Sequence, residues 1–332
     1  MASAEQEVDV LDSDFRFVTL NNGVRMPSIA FGCAFGDWVG ATEFQGFLPE
    51  EAWRALTLAF EAGYRAFDGA HAYGTERILG SLVGQRLASG DIERGDLFIT
   101  SKLAHPATPP DINISHLRTW DADKVPDLAQ RLRDDFMRTL DDLSLGYVDL
   151  LLMHWPGPFE NKDEAFARDA RAIIWQTFTE FYKKGAARAI GVSNFSVGHL
   201  EQLLEDVPEV RPMVNQVEVH PYCRDARLET FCRNNDIVVT AYAPFASGAF
   251  GLLTDPVLRS IAENHSVSPG QVVLRWHLQS GRTVLPKSSN SRRMRENLEI
   301  FGFSLSEKEL EVIDALGGGE TRRTCADPAA VL

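Results

Sequence analysis

The run Val148-Asp149-Leu150-Leu151-Leu152-Met153-His154 is apolar at nearly every position and ends in an imidazole. A strand with one face in water would alternate apolar and polar residues, so this run predicts a strand that is covered on both faces. Leu97 to Lys102 has the same character and also ends in a polar side chain. Strands of this kind lie between a layer of helices and the interior of a parallel barrel.

Strand and helix patterns alternate along the whole chain. The strand-like runs are Ile29 to Cys33, Arg65 to Gly69, Leu97 to Lys102, Val148 to His154, Ala189 to Ser193, Met213 to Val219, Ile237 to Tyr242 and Thr283 to Pro286. The helical runs are Pro49 to Ala62, Glu76 to Leu87, Leu128 to Leu143, Asp169 to Lys184, Val197 to Glu205, Arg227 to Asn234, segments between Asp255 and Gln279, and Ser291 to Ile300. These eight units predict an α/β protein with a (β/α)8 TIM barrel.

The organisation of the chain follows from what surrounds these units. Asn21-Asn22-Gly23 lies between two short apolar runs and predicts an N-terminal β-hairpin. Because no Gly/Ser- or Pro-rich linker interrupts the series, residues 15–332 are expected to form a single domain, after a flexible segment at residues 1–14. A doubly wound sheet is the competing architecture, but the GxGxxG turn typical of it is missing.

Composition narrows the functional classes. The 332 residues are 44% hydrophobic and 24% charged, as in globular proteins, and the net charge of −14 argues against nucleic acid and anionic membranes as partners. Scattered cysteines (Cys33, Cys223, Cys232, Cys325) give neither a zinc pattern nor a disulfide framework, so no metal is expected. A reducing compartment and the absence of an apolar signal or spanning segment predict a cytoplasmic protein.

Four polar residues lie at or just beyond the ends of three strand-like runs. They are Asp68, Tyr73, Lys102 and His154. A carboxylate, a phenol, an ammonium and an imidazole can deliver a proton to a carbonyl oxygen while a hydride arrives at the carbon. Because a phenol is a weak acid, Lys102 is expected to ease proton release, and Asp68 to keep that ammonium charged.

Each of these residues also has a structural interpretation. Tyr73 could be a packing residue, Lys102 a solvated strand end and His154 a core imidazole, while Asp68 could form a buried ion pair. Their joint placement at the ends of neighbouring barrel strands favours the catalytic interpretation, because barrel enzymes carry their active sites there.

A basic patch follows the last strand-like run. Between Pro286 and Asn297 the charges are Lys287, Arg292, Arg293 and Arg295 against Glu296, which is 4 − 1 = +3 in a chain of net charge −14. A helix start with Ser288, Ser289 and Asn290 beside such a patch suits a phosphate group, although a solvated helix face would have the same composition.

Seven segments, taken in order, resemble the aldo-keto reductases. They are AFDGAHAYGTE, LFITSKL, YVDLLLMHWP, RAIGVSNF, VNQVEVHPY, TAYAPF and LPKSSNSRRMREN, and the similarity spans roughly residues 17 to 328. The resemblance implies a (β/α)8 barrel that binds NADPH/NADP+ in extended form and reduces a small-molecule carbonyl substrate.

The resemblance also implies a role for individual positions. Tyr73 would be the general acid, Lys102 and Asp68 its tuning pair, and His154 the residue that orients the carbonyl. Ser193, Asn194 and Gln216 would bond the nicotinamide carboxamide, and Tyr242 would stack on its ring. Lys287 and Arg293 would bind the 2′-phosphate beside Ser288, with Asn297 on adenine, which favours NADPH over NADH.

The substrate pocket departs from the family pattern. Ala104 stands where many relatives carry a tryptophan, and Gly32-Cys33-Ala34 lacks another aromatic wall. Four aromatic residues are candidates to replace them: Phe35, Trp38, Trp155 and Phe159. The long segment at about 105–125 starts at the predicted catalytic face and is expected to cover the substrate entrance, with Trp120 or His116 near the substrate.

The sequence therefore predicts an NADPH-dependent reductase that converts aldehydes, and also ketones or sugar aldehydes, to alcohols, as a monomer or weak dimer. Two other classes stay open. One is an NADPH-binding regulatory subunit with little turnover, which the four polar residues do not exclude. The other is a barrel hydrolase using a metal at Asp68 and His154, for which the sequence supplies no third ligand.

Overall fold

A computed structural model describes residues 15–39, 43–45, 48–104, 127–157, 163–207 and 209–331, with the backbone alone at 37–39 and 43–45. Two antiparallel hairpins come early in the chain, β1 (Phe17–Thr19) with β2 (Arg25–Pro27), and β4 (Asp37–Val39) with β5 (Glu43–Gln45). The other strands are β3 (Phe31–Gly32), β6 (Ala66–Asp68), β7 (Phe98–Leu103), β8 (Leu150–Met153), β9 (Ile190–Ser193), β10 (Val214–Glu218), β11 (Val238–Tyr242) and β12 (Thr283–Leu285).

The eight strands from β3 to β12, without the second hairpin, form one parallel sheet in chain order. Backbone hydrogen bonds then join its two edges: the Ala30 amide donates to Val284 O at 3.0 Å, and the Val284 amide donates to Ser28 O at 2.9 Å. The sheet therefore closes on itself. This confirms the predicted (β/α)8 barrel.

Helices follow the strands on the outside of the barrel. They are α1 (Pro49–Ala62), α2 (Glu76–Ser89), α3 (Leu128–Leu143), α4 (Glu164–Lys183), α5 (Val197–Asp206), α6 (Ala226–Asn234), α7 (Pro256–His265), α8 (Pro269–Gln279), α9 (Ser291–Leu298) and α10 (Glu307–Asp314). Helices α1 and α3 have the bounds expected from sequence. Helix α4 begins earlier than predicted because the Asp163 side chain caps it, accepting a hydrogen bond from the Phe166 amide at 3.1 Å.

The first hairpin covers the amino end of the barrel. The Asn22 side chain donates to Arg188 O at 3.0 Å, and the Asn21 side chain donates to Pro212 O and Asp236 O, both at 3.1 Å. Each of these carbonyls lies two residues before a barrel strand. Gly23 closes the turn at a φ of 83°.

Barrel strands such as β8 are apolar at nearly every position because both of their faces are buried. All four residues of β8 are at most 2% exposed, since the barrel interior covers one face and the helices cover the other. Within the described part of the chain, no helix has both the length and the apolar character needed to cross a bilayer.

Candidate active site

The four polar residues meet at the carboxyl end of the barrel. Asp68 ends β6, Lys102 lies near the end of β7, and His154 follows β8. Tyr73 ends a short 3-10 turn, His71–Tyr73, that leads from β6 towards α2. Parallel strands end at one rim of a barrel, so side chains that are distant in sequence become neighbours.

Lys102 is the centre of this group. The residue is 1% exposed, and its ammonium forms an ion pair with the Asp68 carboxylate. The same nitrogen donates to Gly69 O at 2.9 Å and to the Tyr73 hydroxyl at 3.4 Å. All three hydrogens of the ammonium therefore have acceptors, and the cation is held in place beside the phenol.

Burial and charge set the protonation states. Burial raises the pKa of Tyr73, the Lys102 charge lowers it and the Asp68 charge raises it, with a net rise above the ordinary value. Burial alone would lower the pKa of Lys102, but the charges of Asp68 and Tyr73 outweigh it and the pKa is raised. Near neutral pH the site thus holds a protonated phenol next to an ammonium, as a general acid requires.

His154 stands on the other side of Tyr73. The residue is 6% exposed, and its ring meets the tyrosine ring edge-on with centroids 5.6 Å apart. Its backbone is fixed on both sides, because its amide donates to Leu103 O at 2.8 Å and its carbonyl accepts from the Asn194 side chain at 2.9 Å. The imidazole and the phenol can therefore face one substrate oxygen together.

A layer of amides and hydroxyls adjoins the catalytic group. The Tyr242 hydroxyl donates to Asn194 Oδ1 at 2.8 Å, and the Ser193 hydroxyl donates to Gln216 O at 2.8 Å. The Gln216 amide nitrogen donates to Asp68 Oδ2 at 2.7 Å, so this layer also orients the carboxylate that pairs with Lys102. Asn194 adopts a left-handed backbone with φ of 62°, a conformation that asparagine tolerates well.

The basic patch lies at the opposite end of the same cavity. Lys287 donates to Ala34 O at 2.9 Å, and Asn290 caps α9 by accepting a hydrogen bond from the Arg293 amide at 3.1 Å. Ser288 lines the cavity beside them, and Asn297, in the last turn of α9, is buried with 6% exposure. The cations and the start of α9 together offer positive charge and hydroxyl donors to a phosphate.

One cavity of about 720 Å³ connects the two ends. It is lined by every predicted catalytic and cofactor-binding residue except Lys102, which lies beneath Asp68 and Tyr73: Asp68, Tyr73, His154, Ser193, Asn194, Gln216, Tyr242, Lys287, Ser288, Arg293 and Asn297. The volume fits an extended dinucleotide with one end at the catalytic group and the other at the basic patch.

The predicted pocket aromatics have different positions. Trp155 lines the cavity next to His154. Phe35 lies in the core, 2% exposed, with its ring 6.3 Å from that of Phe31 and beneath the Lys287 ammonium. The side chain of Trp38 and the residues Phe159 and Trp120, with the segment 105–125, lie outside the described residues.

Three further segments, which the sequence analysis did not identify, also line the cavity. They are the loop after β11 (Ala243–Phe245, Ser247–Gly248 and Leu253), the start of α8 (Ser268–Gly270) and the C-terminal residues Thr324–Ala326. The Ser268-x-x-Gln271 capping box could have located the start of α8. No short-range pattern reports that residues near 325 return to the rim of the barrel.

One group among the described residues has the composition of a metal site. Glu218, His220 and Cys223 are buried, and their ligand atoms lie within 4.8 Å of one another. Asp68 and His154, the two residues considered for a metal-dependent hydrolase, are not part of it. Asp68 is paired with Lys102 and Gln216.

The comparisons with known proteins agree with this geometry. The sequence model of the Aldo/keto reductase family matches residues 29–317. Glyoxal reductase from Bacillus subtilis is 37% identical over 91% of this chain and 93% of its own length. A member of aldo-keto reductase family 1 from Danio rerio (A1-A) is 34% identical, with 91% and 90% of the two chains covered. The chain belongs to the aldo-keto reductase family.

A solved structure extends the similarity to the fold. The aldo-keto reductase of Bombyx mori, solved in complex with NADP, is 29% identical, with a TM-score of 0.74 and with 90% of this chain and 92% of that chain covered. The fold assignment and the sequence assignment therefore coincide.

Proposed function

We propose that this protein is an NADPH-dependent reductase of aldehydes, which also accepts ketones or sugar aldehydes and forms the corresponding alcohols. The observation that carries the proposal is the single cavity, with the Asp68, Tyr73, Lys102 and His154 group at one end and Lys287 with Arg293 at the other. Hydride transfer from a phosphorylated cofactor to a carbonyl needs the catalytic group and the phosphate-binding residues in one cavity, so that donor and acceptor are held together.

Each residue of the catalytic group has one task in this proposal. Tyr73 gives its proton to the carbonyl oxygen as negative charge develops there, and Lys102 stabilises the phenolate that is left. Asp68 keeps the ammonium aimed at the phenol, and His154 orients the carbonyl by a hydrogen bond. The roles are those that the family resemblance implies, and the buried, mutually bonded geometry supports them.

The cofactor end fits a 2′-phosphorylated dinucleotide. Two cations and the Ser288 hydroxyl adjoin the start of α9, where an anion is favoured by the helix dipole. Ser193 and Asn194, with the aromatic Tyr242, stand where a nicotinamide ring would adjoin the catalytic group. NADPH bound here would supply the hydride.

The remaining expectations concern the setting of the enzyme. All four cysteines are free thiols, which supports a reducing compartment such as the cytoplasm. A monomer or weak dimer, with neither nucleic acid nor membrane as partner, agrees with the acidic net charge of −14.

The test is NADPH oxidation followed at the nicotinamide absorbance with aromatic aldehydes, sugars and dicarbonyls, in parallel with NADH. We expect turnover with NADPH and a preference for it over NADH. The Tyr73→Phe variant should lose about 100-fold or more in kcat, the scale of general acid catalysis, yet keep NADPH binding by fluorescence titration. NADPH binding without turnover of any carbonyl would favour a regulatory subunit, and wild-type rates in Tyr73→Phe would overturn the assignment of the acid.

A further inference from the structure

The chain returns to the rim of the barrel near its C-terminus. Residues 322–326, here called the C-terminal arm, place Thr324, Cys325 and Ala326 in the wall of the cavity that holds Tyr73 and His154. The arm is an irregular segment, so its position depends on what it contacts.

The main contact of the arm is the carboxylate of Glu218. Its Oε1 accepts hydrogen bonds from the Thr324 amide and the Thr324 hydroxyl, both at 2.6 Å, and its Oε2 accepts from the Cys325 amide at 3.2 Å. Hydrogen bonds to an ionised acceptor are about twice as strong as neutral ones. One side chain thus holds two successive amides of the arm.

Glu218 is built into the barrel itself. It ends β10, two residues after Gln216, so the two side chains lie on the same face of the strand. Gln216 bonds Asp68, and Glu218, one step nearer the rim, bonds the arm. The Glu218 side chain is 0% exposed. If the arm moved away, the buried carboxylate would lose the hydrogen bonds that compensate for its burial.

The charges around Glu218 keep it ionised. Burial raises its pKa, but hydrogen bonds from His220 and Thr324 and the charge of His220 outweigh burial and lower it. His220 Nε2 lies 3.3 Å from Oε1, and the Arg323 guanidinium lies 3.8 Å from Oε2. A metal ion at Glu218, His220 and Cys223 would compete with these donors and face a guanidinium, so the cluster is better explained as an anion held by the arm.

We propose that Glu218 is a positioning residue that fixes the C-terminal arm as a wall of the substrate pocket and thereby sets the discrimination between large and small aldehydes. This inference rests on the proposed function. A small aldehyde needs only Tyr73 and His154, whereas a large one extends to the wall formed by Thr324 to Ala326. Loss of the hydrogen bonds between Glu218 and the arm therefore changes KM for the large substrate and leaves the proton-transfer group intact.

The variants that test this are Glu218→Gln and Thr324→Val. Glutamine keeps the size of the side chain but places an NH2 group where one carboxylate oxygen stood, so either the Thr324 or the Cys325 amide faces a donor. Valine removes the Thr324 hydroxyl, with its bond to Glu218 and a longer contact to Ser247 Oγ at 3.4 Å, but keeps both amide bonds to the carboxylate. This second variant guards against a failure of the first to fold. Glu309→Gln is the matched control, because Glu309 likewise accepts an amide, a hydroxyl and an imidazole, but in the capping box of α10.

Two measurements are made on the full chain. The first is kcat and KM with NADPH for propanal and for 2-naphthaldehyde. In Glu218→Gln we expect KM for the naphthaldehyde to rise about tenfold, the scale of one charged hydrogen bond, with kcat and the propanal KM within about twofold of wild type. Thr324→Val should show a smaller change of the same kind, and Glu309→Gln should show none.

The second measurement is amide hydrogen exchange of the arm with NADPH bound, which does not depend on turnover. Faster exchange at Thr324 and Cys325 in Glu218→Gln, but not in Glu309→Gln, is expected. An unchanged ratio of the two KM values with unchanged exchange would overturn the proposal, and so would an equal fall in kcat for both substrates. If wild type itself reduces neither aldehyde, the proposed function fails, while the exchange result still tests whether Glu218 holds the arm.

Discussion

The Glu76 carboxylate accepts a hydrogen bond from the Ser101 hydroxyl at 2.6 Å and so joins the first turn of α2 to the strand residue before Lys102. Its other oxygen accepts from the Thr139 hydroxyl at 3.0 Å and lies 3.3 Å from the ring of His71. The turn that carries Tyr73 and the strand that carries Lys102 are therefore fixed by one buried carboxylate, which is 3% exposed.

The first prediction concerns this carboxylate. In Glu76→Gln one of the hydroxyl donors loses its acceptor, so the distance between Tyr73 and Lys102 relaxes. We expect kcat for aldehyde reduction to fall about tenfold, with the KM for NADPH unchanged. Rates are normalised to active sites titrated by NADPH fluorescence. Ser81→Ala, which removes an exposed hydroxyl from the same helix, is the control; a Glu76→Gln enzyme with wild-type kcat would exclude the positioning role.

The second prediction concerns alkaline pH. Reduction needs the protonated Tyr73, whose pKa is raised, so kcat/KM for reduction should stay level through neutral pH and decline only above about pH 10. Alcohol oxidation needs the phenolate and should rise over the same alkaline range. Lys102→Met removes the cation that lowers the pKa of Tyr73. The rise of the alcohol oxidation rate with pH should therefore begin at a higher pH in this variant. An oxidation rate that rises at the same pH as in wild type, or at a lower pH, would contradict the assigned pairing of Lys102 with Tyr73.

The third prediction separates the two nicotinamide cofactors. Lys287→Ala and Arg293→Ala each remove one cation from the phosphate end of the cavity, and we expect the KM for NADPH to rise about 10-fold to 100-fold. The KM for NADH should change by less than about threefold, because it lacks the 2′-phosphate. Arg295→Ala makes the same charge change on α9 at a residue that does not line the cavity, and should leave both values unchanged.

The fourth prediction is a loss of stability in acid through His199. Its Nδ1 accepts from the Ser196 amide at 3.2 Å, and its Nε2 donates to Val331 O at 3.1 Å. Burial, followed by the charge of Arg171, lowers the pKa of His199 from 6.5 to about 4, and the Val331 carbonyl offsets this in part. Between these two values the unfolded chain binds a proton that the folded protein does not, so the free energy of unfolding falls as pH falls.

The measurement is urea unfolding at pH 7.5 and 4.5. Wild type should lose about 2 to 3 kcal/mol more than His199→Gln between the two conditions. His265→Gln, at a half-buried ring against Glu309, serves as control. An equal loss in wild type and His199→Gln would show that the ring is not responsible.

The fifth prediction compares two glycines in one helix, α2. A Cβ on Gly80 would lie 2.3 Å from Asp142 O and 2.6 Å from the backbone carbon of Leu143, whereas a Cβ on Gly84 would meet nothing within 4 Å. Gly80→Ala should lower the free energy of unfolding by about 2 kcal/mol or more, because α2 must move away from the end of α3. Gly84→Ala should raise it by about 0.5–1 kcal/mol through helix propensity. Thermal unfolding of both variants decides between these outcomes.

The sequence predicts well those features that depend on local patterns. Runs such as Leu150–Met153 are buried on both faces, and such runs are recognisable without any partner. Asp68, Lys102 and His154 could be found because each follows such a run, and barrel geometry then brings strand ends together. The start of α9 was likewise visible from Asn290 and the basic residues after it.

Features that depend on distant contacts were not predicted. Glu218 and Thr324 are 106 residues apart, and no periodicity links them. Phe35 is an aromatic residue of the kind that lines substrate pockets, but its ring packs in the core against Phe31 and beneath the Lys287 ammonium. Gln216 was expected to serve the cofactor, whereas its amide also bonds Asp68, a contact across the barrel that strand order alone cannot reveal.

The closure of the barrel has a consequence for how the protein is made. Lys287 bonds the carbonyl of Ala34 from 253 residues away, and Val284 bonds the backbone next to β3. During synthesis the barrel cannot close until almost the whole chain has left the ribosome, so the first strands lack their closing hydrogen bonds until then. Folding should therefore be slow and depend on chaperones, and nascent chains that stop before residue 284 should be aggregation-prone and sensitive to proteases.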